Sequence, residues 1–247
     1  MDRMIYLSMS GAKQTLGRQA EVAHNLANAN TNGFRAETMA FRAVPLIGEG
    51  AATRAFVMDT TIGADFTPGT IQHTGRDLDI AVQGKGWIAV QASDGSEAYT
   101  RAGSLKLDAN GVLQTRRGNA VLGDGGPISV AAGTIVTIAS DGTVSTVQAG
   151  TGPGTAASTV IGRIKLVNPP EASIMRRDDG LFRVRGDAPL DADVRIASGA
   201  LEGSNVNVVE AMVSMIALAR QFDTHMKTLQ NAEANARQAA QLLTLQG

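Results

Sequence analysis

Apolar residues recur with a coiled-coil period at the two ends of the chain and with a strand period between them. At the N-terminus Ile5, Met9, Ala12, Leu16, Gln19, Ala23 and Leu26 follow alternating steps of four and three, with only Gln19 breaking the apolar rule. At the C-terminus Val208, Met212, Met215, Ala219, Phe222, Met226 and Leu229 repeat that spacing. After a polar break at Glu233 the seam resumes at Ala236, Ala240 and Leu243. A helix from about 205 to 245 would run roughly 60 Å, too long for a small globular domain to cover. The pattern therefore predicts two terminal helices that pair with each other and stack sideways on identical pairs from other copies. Ile5, Met9, Leu16, Leu26, Met212, Met215, Phe222, Met226 and Leu229 are its candidate interface residues.

From Arg76 onward the pattern changes to short alternating runs punctuated by turn dipeptides. "LDIAVQ", "GWIAVQ", "SLKLDANG", "TIVTIASDG", "GRIKLV" and "LFRVRG" are separated by Asp94-Gly95, Asn110-Gly111, Asp141-Gly142 and Pro169-Pro170. Runs of about five residues bounded by Asp-Gly or Asn-Gly are hairpin signals. The expected organisation is α+β: an N-terminal helix over 1–30, an extended linker with room for a hairpin over 31–75, a central antiparallel β-domain over 76–200, and a C-terminal helix over 201–247. The stretch "AGTGPGTAAS", residues 149–158, reads as an exposed loop tip.

Composition narrows the function classes. Aromatics make up 4% of the 247 residues while Gly supplies 28, which favours turns and small side chains over bulky packing. A net charge of -1 leaves no electrostatic footprint for nucleic acid, and no apolar run approaches a membrane span. The N-terminus has no cleavable-signal pattern, so the sequence reads as cytosolic or as exported without cleavage. The absence of Cys removes disulfides, thiolate metal sites and Cys nucleophiles together.

Candidate chemistry is sparse. His24, His73 and His225 are far apart in sequence, and none has the partner spacing of a metal helix. "QGKGW" lacks the spacing of a phosphate loop, and "LDANG" and "GDGG" lack the oxygen series and closing Glu of a calcium loop. Asp191 and Asp193 of "PLDADV" lack the apolar setting that raises a carboxyl pKa. Neither a catalytic residue, a cofactor site nor a metal site is expected. The residues alone leave open a β-rich surface binding module or a β-rich hydrolase.

The stretch "EVAHNLANANTNGFRAE" places Asn25, Asn28, Asn30 and Asn32 where a helix ends, although asparagine is a mediocre helix former. Asn25 and Asn28, with Asn205 and Asn207 at the other end, are candidates for fixed polar contacts that penalise wrong registers. Asn30, Asn32 and Gly33 are expected to stop the helix in left-handed conformations.

"AHNLANANTNGFRAE", "RDLDIAVQGKGWIAVQ", "YTRAGSLKLDANGVLQTRRGNAVLG" and "GALEGSNVNVVEAMVSMIALARQFDTHMKTLQNAE" together resemble the rod and hook family of axial proteins of the bacterial flagellum. The opening "MDRMIYLSMSGAK" and the length are most similar to proximal-rod members, although distal-rod and hook subunits share the same blocks. His24 stands where the family often has Asn, and Asn207 where it often has Asp. The resemblance implies a structural subunit that is exported by the flagellar type III apparatus without a cleaved signal. It would assemble in the periplasm with its own copies and other rod proteins. The product is a hollow helical shaft that carries motor torque to the hook, with the helices inside and the β-domain outside.

Overall fold

The computed structural model describes residues 2–45, 55–148 and 158–244 and divides into two compact units. The loop expected at 149–158 lies outside the described residues apart from its last position.

The first unit holds two helices, α1 (Asp2–Ala27) and α2 (Val208–Thr244), packed on each other. Gly11, sixteen residues before the end of α1, meets the His225 ring, seventeen residues after the start of α2. Nearly equal setbacks from the chain-facing ends are the register of an antiparallel pair. Among the described side chains the buried positions on α1 are Ser8, Ala12 and Thr15, all small, and the Thr15 hydroxyl bonds back to the Gly11 carbonyl at 2.9 Å. On α2 they are Leu218 and Ala232. Small side chains let the helices approach closely, and Gly11 sets the limit: a Cβ there would stand 2.6 Å from the His225 ring. Gly11→Val is expected to cost about 1–3 kcal/mol by overpacking, read as a lower helical melting temperature by circular dichroism. His225→Ala in the same chain should recover most of that loss, whereas additive losses would place the strain elsewhere.

The same unit carries two paired strands, β1 (Glu37–Pro45) and β2 (Ala55–Ala64, whose last residue belongs to the second unit). β1 packs on α1, and Glu37, Met39 and Phe41 are more covered than Thr38, Ala40 and Arg42 between them. Arg18 of α1 lies 5.3 Å from the centre of the Phe41 ring. Burial raises the Glu21 carboxyl above its usual range, and the Met39 N–H and Arg18 pull it part of the way back.

The second unit is antiparallel β-structure. A five-stranded sheet runs in the order Leu166–Val167, Trp87–Gln91, Glu97–Thr100, Phe182–Val184, Ile174–Arg176. A three-stranded sheet follows from Thr134–Ile138, Thr143–Gln148 and Thr159–Arg163. The strand Trp87–Gln91 is buried on both faces. Ile88 and Val90 enter the larger aliphatic core with Leu105, Leu113 and Ile164, while Trp87 and Ala89 enter a second core with Tyr99 and Phe182. The turn dipeptides sit where the pattern put them. Gly95, Gly111 and Gly142 have φ of 80°, 78° and 88°, a region that glycine enters without a Cβ clash.

Each of those turns is closed by an aspartate. Asp94 accepts from Ser96 N, Asp108 from Asn110 N and Val112 N, and Asp141 from Thr143 N, all between 2.7 and 3.0 Å. The Ser96 hydroxyl and amide, together with Arg177, hold the Asp94 carboxyl well below the usual carboxylate range. "LDANG" is therefore a turn whose aspartate oxygens are occupied by the hairpin itself.

Candidate assembly interface

The helix unit leaves large apolar side chains in solvent. Tyr6, Leu7, Met9 and Leu16 are exposed on α1, and Val209, Met212, Val213 and Ile216 on α2. Tyr6, Met9 and Leu16 recur at steps of three and seven, as do Val209, Met212 and Ile216 at three and four, so each set lies along one side of its helix. Met9 is 61% exposed and Val213 62%. Large apolar side chains exposed along one helix side mark a candidate interaction face.

The structure splits the residues read from the heptad pattern into two groups. Met9, Leu16 and Met212 are exposed. Ile5, Leu26, Met215, Phe222, Met226 and Leu229 are half-buried, as are Asn25 and Asn28. On α1 the more covered positions follow the heptad through Ile5, Ala12, Gln19 and Leu26, but include Ser8, Thr15 and Val22 in place of Met9, Leu16 and Ala23. The two stripes are one residue apart. The polar, small one packs inward because it permits closer approach, and the apolar one stays outside.

The asparagines have separate tasks. Asn25 grips the backbone of Glu37 at both polar groups: its Nδ2 donates to the carbonyl at 2.9 Å and its Oδ1 accepts from the amide at 2.7 Å. His24 Nδ1 lies 3.0 Å from the Glu37 carboxylate, which strengthens this attachment of β1 to the last turns of α1. The Asn28 side-chain amide donates to the His24 carbonyl at 3.0 Å, which also accepts the Asn28 backbone N–H at 3.2 Å, so the helix end is held by two bonds to one oxygen. Asn207 caps α2, its Oδ1 accepting from Val209 N and Glu210 N. Among the described residues no non-glycine has positive φ, so Asn30 and Asn32 do not adopt the left-handed conformation expected of them. Gly33 alone does, at φ 69°, and a Cβ on it would stand 2.3 Å from the Arg101 carbonyl carbon.

Within the β-unit, a cluster invisible to the local pattern holds the two stretches that lead out of α1 and into α2. Glu202 is buried between two arginines, with Arg35 Nη2 at 2.6 Å from Oε1 and Arg101 Nη1 at 2.9 Å from Oε2. Gly69 N donates to the same carboxylate at 3.0 Å. Arg35 also donates to the Thr67 carbonyl, and Arg101 to the Gly84 carbonyl, so the excess positive charge faces backbone oxygens. Burial pushes the Arg101 guanidinium below its usual range, Glu202 pulls it back, and Arg35 adds to the depression.

Backbone bonds complete the clasp. Gly33 N donates to the Glu202 carbonyl at 2.8 Å, and Asn205 Oδ1 accepts from Ala36 N at 2.7 Å while its Nδ2 donates to the Asp65 carbonyl at 2.9 Å. "GFRA" and "EGSN" thus meet as one unit.

Comparison with known proteins matches three stretches of the chain to family descriptions. Residues 5–35 match "Flagella basal body rod protein", 81–146 match "Flagellar hook protein FlgE/F/G D1 domain", and 197–242 match "Flagellar basal body rod FlgEFG protein C-terminal". Over 99% of its length the chain is 48% identical to the flagellar basal-body rod protein FlgF of Salmonella typhimurium and 48% identical to that of Escherichia coli, covering 100% of each. It is 36% identical to the FlgF of Caulobacter vibrioides, with 98% of both chains covered. Its identity to the basal-body rod protein FlgG of Buchnera aphidicola from Acyrthosiphon pisum is 26%, over 96% of this chain and 98% of the relative.

Proposed function

Since this chain belongs to the FlgF family of flagellar basal-body rod proteins, we propose that it builds the proximal rod by side-to-side packing of its terminal helix pair. It is a structural, non-enzymatic subunit. The observation that carries the packing reading is the apolar stripe left outside the helix pair, with Met9 and Leu16 on α1 and Met212, Val213 and Ile216 on α2. A stripe that its own chain does not cover is removed from water by neighbouring subunits, and burying each such side chain is worth about 1.5–3 kcal/mol. Heterologous contacts of this kind propagate as a helix. The partners are further copies and other rod proteins, and the assembly is a hollow shaft transmitting torque to the hook. The chain reaches the periplasm unfolded at its ends, through the flagellar type III apparatus and without a cleaved signal. No described helix is long and apolar enough to cross a membrane.

The chain has no cysteine, so a single introduced thiol reports its own position. Met212→Cys is expected to react with a maleimide in the purified monomer and to be protected in isolated basal bodies. Equal labelling in both would overturn the helix-packing reading.

A further inference from the structure

A cavity of about 340 Å³ opens within the β-unit, lined by Asn30, Asn32, Thr115, Arg116, Arg117 and Asn119 among others. Four separate stretches converge on it: the Asn30–Phe34 loop, residues 100–104, residues 115–119 and residues 180–181. Two guanidinium groups, several side-chain amides and several hydroxyls face it, and none of its lining residues is acidic. Arg117 is oriented by a bond to the Asp179 carbonyl at 3.1 Å. Arg116 is exposed, and its guanidinium has no ion pair among the described residues. Paired cations with neighbouring amide and hydroxyl groups, and no competing carboxylate, suit a carboxylate-bearing segment. The size is at the low end for ligand pockets of about 300–1,000 Å³ and admits a loop tip, not a folded element.

The same unit carries such a segment. "DAPLDAD", residues 187–193, presents three aspartates. Asp187 and Asp193 are exposed, and their carboxylates have no ion-pair partner among the described residues. The Asp191 side chain accepts from Asp193 N at 2.8 Å, and Pro189 restricts the backbone, so the loop is partly ordered before it meets anything. A helical stack requires one patch of a subunit to meet a different patch of the next. We infer that the acidic 187–193 loop of one copy seats in the Arg116/Arg117 cavity of a neighbouring copy. This forms a charged contact additional to the helix packing. The inference rests on the assembly reading above.

The test uses the full chain in assembled basal bodies. Asn119→Cys with Ala192→Cys places one thiol in the cavity and one on the loop, and mild oxidation is expected to yield disulfide-linked multimers. Arg116→Glu is expected to reduce swimming at least tenfold, and Asp193→Arg in the same chain to restore it, because the pair is exchanged and not lost. Absence of the cross-link while Met212→Cys stays protected would overturn the cavity contact and leave the helix packing intact. Reactive Met212→Cys would instead overturn the helix packing. Failure of Asp193→Arg to rescue also counts against the contact. So does wild-type binding to purified peptidoglycan sacculi that Arg116→Glu abolishes without changing the cross-link, since the cavity would then take a cell-wall polymer.

Discussion

Glu202→Ala is expected to lower the melting temperature of the β-unit by about 6–20 °C. Removing one partner of a buried ion pair costs about 3–5 kcal/mol, and a chain of this size shifts by about 2–4 °C per kcal/mol. The substitution strands two guanidinium groups, Arg35 and Arg101, that are 1% and 4% exposed, and it leaves Gly69 N without its acceptor. Trp87 is the one tryptophan in the sequence, is buried, and lies with its ring 5.5 Å from the Arg101 guanidinium, so its fluorescence reports the transition. Arg35→Met, Glu202→Leu and Arg101→Met together should recover much of the loss, because an apolar replacement of a whole buried ion cluster avoids its desolvation cost. Recovery stays incomplete, since the Thr67 and Gly84 carbonyls lose their donors. A Glu202→Ala protein that melts within 2 °C of the parent would mean that water reaches the cluster and that it does not hold the two chain segments.

Ile216→Asp is expected to abolish rods while leaving the monomer almost unchanged. Ile216 is 57% exposed, and substitutions at such positions usually move stability by no more than about 0.5 kcal/mol. At a subunit contact the same carboxylate is buried without a partner, at a cost of several kcal/mol, and the lesion recurs at every step of the helix. Leu218→Asp is the contrasting case. Leu218 is buried within the helix pair, so the charge there should lower monomer stability by several kcal/mol whether or not rods form. Thermal melts of the two purified proteins, set beside electron micrographs of basal bodies, separate the effects. Normal rods with Ile216→Asp would place that face outside the interface.

Much of this protein is determined locally and is therefore written in its sequence. The seams at both ends specify long helices, because a period near 3.5 cannot be buried any other way. Asp94-Gly95, Asn110-Gly111 and Asp141-Gly142 specify hairpins, because their glycines adopt positive φ and their aspartates or neighbouring ones accept turn amides. The four quoted blocks were sufficient to point to the flagellar rod and hook family. Two features belong to the tertiary structure. Which of two stripes one residue apart is buried was decided by fit: Ser8, Ala12 and Thr15 permit close approach, whereas hydrophobicity alone selects Met9 and Leu16. The ion pair between Arg35 and Glu202 spans 167 positions, and Arg101 joins it from a third segment. No local pattern encodes that meeting, because buried charges are tolerated only where the folded chain brings their partners and acceptors together.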